Sequence, residues 1–162
     1  MRILTVRGYV VMLALIVLLA AGLFTTGTAW GPDGAVRRTI GTFEVEMVPG
    51  DPETIEAGLG LSRYALTKTF DGGIEGVGTG QMLAGGPAGV ETAGTYVALE
   101  RVVGTVDGRS GAFLLAHRGD INPQGYTLSI TIVSGSGTGE LVGISGEFRL
   151  TLSEGVHHYV LA

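Results

Sequence analysis

Glu100 and His117 are the residues of this chain whose types and spacing could move a proton together. They lie in YVALERVVGTVDGRSGAFLLAHRG, residues 96–119, where two apolar runs flank Asp107 and Gly108, a pair suited to a two-residue hairpin turn. With that turn, Val102 faces Phe113, Glu100 faces Leu115 and Ala98 faces His117. Strand side chains alternate, so one face carries Tyr96, Ala98, Glu100, Val102, Phe113, Leu115 and His117. The other carries Val97, Leu99, Arg101, Val103, Ala112, Leu114, Ala116 and Arg118. His117 is diagonal to Glu100, and a carboxylate and an imidazole on one wall suit general acid–base work. The plainer alternative is a Glu100 that is solvated or paired with an arginine, and a His117 at the rim. The larger and aromatic side chains on the Glu100 face favour the interior, where Tyr96, Glu100, Phe113, Leu115 and His117 would line a cavity. Desolvation would raise the Glu100 pKa there unless Arg63 or another cation paired with it. A solvated Glu100 would titrate near ~4.3.

The other chemistry-bearing residues point to less. Glu44 and Glu46 alternate with Phe43, Val45 and Met47, which places both carboxylates on one face, read as solvated. His157 and His158 are adjacent and in a strand point to opposite faces, and His117 adds no ligand spacing, so no metal site is expected. GVGTG and GSGTG lack the spacing of a dinucleotide or phosphate loop, and no serine sits in a nucleophile elbow. The chain has no cysteine, which excludes disulfides, thiolate metal sites and a thiol nucleophile. No cofactor is called for, and no catalytic residue is assigned.

The elements that must position these residues are short strands. The 162 residues suffice for one domain, and 29 glycines with 45% apolar residues fit strands and tight turns better than packed helices. The alternation predicts strands over 40–48, 62–70, 74–83, 95–106, 111–118, 126–133, 143–152 and 157–161. Eight strands suit a single closed antiparallel barrel that is filled by its side chains or holds one small ligand. A second hairpin turns at 71–73: a two-residue turn sets Lys68 against Glu75, a three-residue turn sets it against Gly76, and the charge match favours the first. Residues 48–60, with a short helical turn at most, and 84–94 read as loops.

The first 29 residues read as an export segment. Arg2 and Arg7 precede an apolar run over 9–24 and then small residues, with Gly27 and Ala29 placed for a cut before Trp30. A retained signal anchor is the equal alternative, because no charge occurs over 8–32, a stretch of roughly 37 Å if helical. Either way the barrel lies outside the cytoplasm, secreted or held to the membrane by this segment. Residues 30–38 form a linker and 39–162 the barrel domain. Without Arg2 and Arg7, eight basic residues face fifteen acidic ones, and the resulting charge of −7 repels a phosphate backbone. Nucleic acid is therefore not an expected partner.

At LERVVGTVDGRSGAF and SGSGTGELVGISGEFRL the chain resembles a bacterial family of unknown function whose members form barrels similar to plant allene oxide cyclase. The likeness also takes in GTFEVE, LTKTFDGGIEGVGTG and HHYVL, and so covers most of the exported part. Gly137, Gly139, Gly143 and Gly146 are similar to the glycine-rich strand of allene oxide cyclases and, more distantly, dirigent proteins. Dirigent proteins have an arginine where this chain has Ser145, so a site built on that arginine is not carried over. The resemblance implies a barrel enclosing a cavity. Two functions then compete: a non-catalytic module binding a small apolar ligand or a partner, and an isomerase or cyclase steering a lipid-like or phenolic intermediate. The first is preferred because no catalytic residue transfers. A pocket of several hundred Å³ would favour a ligand, and a filled interior a structural role. Val97, Leu99, Val103, Leu114 and Ala116 form an apolar stripe on the opposite face, which points to a homo-oligomer.

Overall fold

Period-two patterning governs the architecture. In the computed structural model, which describes residues 37–50, 59–87, 90 and 93–162, the chain is all-β with eight antiparallel strands. They are β1 (Thr39–Pro49), β2 (Leu59–Gly72), β3 (Ile74–Pro87), β4 (Gly94–Val106), β5 (Arg109–Asn122), β6 (Gly125–Ile132), β7 (Phe148–Ser153) and β8 (Val156–Leu161). A single 3-10 turn, Gly139–Leu141, interrupts them. The export segment, most of the linker, the core of the 48–60 loop and part of the 84–94 loop lie outside the described residues. Among the described residues, no helix is long and apolar enough to cross a membrane.

Consecutive strands pair from β1 to β6 and from β7 to β8, and β8 pairs with β1, giving the order β6-β5-β4-β3-β2-β1-β8-β7. The seam between β6 and β7 is joined by a bridge between Thr131 and Glu147 and by the Ile132 amide donating to the Gly146 carbonyl at 3.0 Å. The barrel is therefore nearly closed. Where β6 stops, residues 133–141 cover the free edge of β5. The amides of Val133 and Thr138 donate to Leu114 and Ala112, while Ser136 and Thr138 hydroxyls accept from the amides of Leu114 and Ala112. Covering an edge this way satisfies its backbone groups.

This segment corrects the expected strand over 143–152, since β7 begins only at Phe148. Gly139 and Gly143 adopt φ of 61° and 82°, conformations that bend the chain out of a ladder. Their turn drops Leu141 into the core, where it is 1% exposed. Ser145 is exposed in the same segment, at the end of the barrel where this cover lies. At its other end, β3 exceeds expectation and runs to Pro87.

The β4–β5 register is the one the Asp107–Gly108 turn predicts, with Val102 opposite Phe113, Glu100 opposite Leu115 and Ala98 opposite His117. The β2–β3 register is different from both expectations. Lys68 pairs with Gly78, and Phe70 with Gly76. The turn there is held by neighbouring strands and not by a Lys68–Glu75 charge match: Gly72 takes φ of 106°, the Gly73 amide donates to Ile40, and the Gly73 carbonyl accepts from the Asp107 amide. The consequence is that Lys68 turns inward while Glu75 stays exposed.

The interior has two apolar clusters. Phe43, Phe70, Ile74, Val102, Val106, Phe113, Leu115, Phe148 and Tyr159 belong to one, and Tyr64, Leu66, Met82, Tyr96 and Ala98 form the other. The first fills the end where β4 turns into β5. The second lines the end where β1 finishes and β4 begins.

Candidate functional site

Between these clusters sit three buried polar side chains. On β2, Tyr64, Leu66, Lys68 and Phe70 alternate inward, so the strand that delivers three apolar groups to the interior delivers an ammonium as well. β4 delivers Glu100, which is fully buried, and β5 delivers His117. Lys68 Nζ donates to Glu100 Oε2 at 2.7 Å. His117 Nε2 lies 3.1 Å from the same oxygen, within reach of a hydrogen bond to it. Glu100 Oε1 is buried without a partner.

Two features make room for this cluster and hold it. Gly76, Gly78 and Gly80 leave the inner face of β3 bare between Ile74 and Met82, and a β-carbon on Gly78 would collide with Glu100 Oε1. Lys68 Nζ also lies over three aromatic rings, 4.9 Å from the Phe43 centroid, 5.8 Å from Phe148 and 5.9 Å from Phe70. Ring faces attract a cation where water is excluded, which helps offset the cost of burying it.

The charge states follow from this environment. Burial alone would push the Glu100 carboxyl up, but His117 and Lys68 together outweigh it and hold the carboxyl below its ordinary value. Burial, more than any favourable contact with Glu100, pushes His117 down, and Lys68 pushes it the same way, so the imidazole is neutral at physiological pH. The Tyr96 phenol is pushed far up, first by burial and then by Tyr126 and Glu100, and keeps its proton.

A cavity of about 90 Å³, partly open to solvent, adjoins the cluster. Lys68, His117 and Phe43 border it, with Met47, Leu66, Met82, Tyr96 and Ala98 among its apolar walls. His157, stacked on Phe43 at 4.8 Å between ring centroids, closes another side. The volume is well above the ~15 Å³ that admits a water and below the ~300 Å³ at which pockets for drug-sized molecules begin.

Residues 39–162 match a family described as a protein of unknown function, DUF3224. The chain belongs to the DUF3224 family. Its barrel is similar to the crystal structure of a DUF3224 protein of unknown function from Shewanella oneidensis, at 36% identity and a TM-score of 0.72, over 77% of this chain and 94% of that one. No curated protein matches it. Neither match extends to allene oxide cyclases, and the chemistry of this DUF3224 domain rests on its own residues.

Of the five candidate residues, the structure brings Tyr96 and His117 to the cavity wall and sets Glu100 directly behind Lys68 and His117. Phe113 and Leu115 share their face but not the cavity. They are packed in the filled cluster, at 1% and 0% exposure. Arg63 is exposed, and the cation beside Glu100 is Lys68. Glu44, Glu46 and His158 are exposed, while His157 turns toward the cavity, so the two adjacent histidines do point apart. Among the described residues, no group of histidines and carboxylates could hold a metal. Sequence reasoning missed Lys68. Its signal was present, since in YALTKTF the lysine is in phase with Tyr64, Leu66 and Phe70.

Proposed function

We propose that this DUF3224 domain is a non-catalytic binding module that takes a small, largely apolar molecule into the open end of its barrel. The observation that carries the reading is an apolar, partly open cavity bordered by Lys68, whose charge is held by the buried Glu100 behind it. The lining, apolar with a few fixed polar groups, is that of small-molecule sites, while the volume of about 90 Å³ falls short of the several hundred Å³ expected of one. The modest volume restricts the enclosed part of the ligand to a few carbon atoms, with any remainder extending through the mouth. Binding is favoured over isomerase or cyclase chemistry because Glu100, the carboxylate that would serve as a base, is tied to Lys68 and does not border the cavity. Native mass spectrometry after exposure to a lipid extract tests the reading. A retained small molecule, lost on narrowing the mouth with Ala98→Phe, is the expected result, and no retention by the intact chain would sink it.

Export is part of the same proposal, supported by Arg2 and Arg7 ahead of the apolar run over 9–24. Cell fractionation that finds the intact chain soluble in the cytosol would overturn it. The outer wall supports self-association. Val97, Leu99 and Val103 of β4 are exposed, as are Val77 and Leu83 directly across on β3. Exposed apolar side chains gathered on one wall, here around Arg101, Thr79 and Gln81, favour an interface. Light scattering should report an oligomer that Leu99→Glu dissociates, and a monomer at high micromolar concentration would refute it.

A further inference from the structure

The Lys68–Glu100 pair decides which ligand chemistry the cavity accepts. Lys68 is the cation that borders it, and its charge is already matched at 2.7 Å by a carboxylate that is itself fully buried. Of its three N–H groups one goes to Glu100 Oε2, which leaves two for the surrounding rings and the cavity. The His117 ring and Tyr96 border the same space and bring no charge to it. The wall therefore offers donors without net charge. A carboxylate ligand entering here would bring a second negative charge beside Glu100, in a site where screening is weak and an unpaired buried charge is costly. A ketone, ester or alcohol oxygen would accept the same hydrogen bonds without that repulsion. Glu100 Oε1 does not reverse this preference by drawing in a cationic ligand, because it is packed against Gly78 on β3 and is not part of the cavity wall.

We infer that the cavity selects uncharged molecules that present an oxygen acceptor to Lys68 at the end of an apolar chain, and that Glu100 sets this selectivity by holding the charge of Lys68. The inference rests on the binding reading above and goes beyond it by naming the ligand class and the residue that determines it. A direct corollary is that neutralising Glu100 should turn the cavity into an anion site, because the ligand carboxylate then takes the place of the missing one.

The experiment is a ligand-observed NMR titration of the 162-residue chain with two probes of equal length, hexan-2-one and hexanoate, at neutral pH. Wild type should bind hexan-2-one at least about tenfold more tightly than hexanoate, and Glu100→Gln should reverse the order by gaining about tenfold for hexanoate. Equal binding of both probes by wild type overturns the selectivity while leaving the binding reading intact. A folded Glu100→Gln protein with no gain for hexanoate overturns the role of Glu100. Binding of neither probe removes the binding reading and this inference together. Should Glu100→Gln not fold, wild type supplies the second measurement. Hexanoate should begin to bind as the pH falls through the acid's own pKa and the probe becomes neutral, and failure to do so overturns the proposal.

Discussion

The two ends of the barrel interior are built from the same strands and filled in opposite ways. At the end where β4 turns into β5, the rings of Phe43, Phe70, Phe148 and Tyr159 stand 5.2 to 6.3 Å apart, and Leu141 from the covering segment completes the packing. At the other end Leu66, Met82 and Ala98 leave about 90 Å³ unfilled. Stability and binding are therefore separated along the barrel axis. The ion pair lies where the two meet, taking ring faces for Lys68 from the filled end and access to ligand from the open one. A filled end can tolerate a neighbouring void because close packing elsewhere sustains the fold.

Truncation at the filled end gives the largest expected effect. Phe148 is 2% exposed and stacks on Tyr159, so Phe148→Ala should cost about 4 kcal/mol in a urea unfolding titration through lost burial and the cavity left behind. Met82→Ala, although Met82 is equally buried at 3%, borders a space that already exists and should cost only about 2 kcal/mol, at the low end for such changes. Equal losses at the two positions would erase the distinction between the ends.

The boundary comes next. Lys68→Met leaves Glu100 buried without its cation and should destabilise the fold by about 3 kcal/mol, whereas Lys68→Met combined with Glu100→Leu should recover most of that loss. Recovery identifies the penalty as an unpaired charge. A double variant as unstable as the single one would instead show that the pair itself, and not the burial of a lone carboxylate, holds this part of the barrel.

The filled end and the open end were not equally legible in the sequence. The face of β4 and β5 could be read because Asp107–Gly108 fixes a two-residue turn, and one turn fixes the register of both strands. The lysine was misplaced because the 71–73 turn is set by contacts with Ile40 and Asp107, residues far away in the chain, which no local rule includes. The glycines of β3 were read as rejected loop motifs, and their role as the space in front of Glu100 appears only once the opposing side chain is placed. Residues 143–147 leave the expected strand for the same kind of reason: the chain just ahead of them is tied to β5, by Thr138 to Ala112 and by the Glu140 carboxylate accepting from the Ser110 amide. Local signals thus specified the strands and one face, while the site arose from non-local register.

The smallest expected effect is a pH dependence confined to the open end. His117 has a folded-state pKa below its ordinary 6.5, because burial and Lys68 oppose the imidazolium. Below pH 6.5 the unfolded chain therefore takes up a proton that the folded chain refuses, and stability falls as the pH is lowered from that point toward the folded value. Above 6.5 the histidine contributes no slope. Each pH unit inside the window costs at most about 1.4 kcal/mol for this one group. His157, lowered by burial and by Lys68, acts in the same direction from the same cavity. Glu100 adds nothing between pH 5 and 7, since its carboxyl is held below 4.5 and stays ionised throughout that range. Thermal unfolding followed from pH 7.5 to 5 should show a falling midpoint in wild type and a flatter profile in His117→Gln. A Leu141→Ala variant, altered only at the filled end, should keep the wild-type slope from a lower starting point. An unchanged slope in His117→Gln would mean that its burial is relieved by water from the cavity, and the open end would then be wetter than its apolar walls imply.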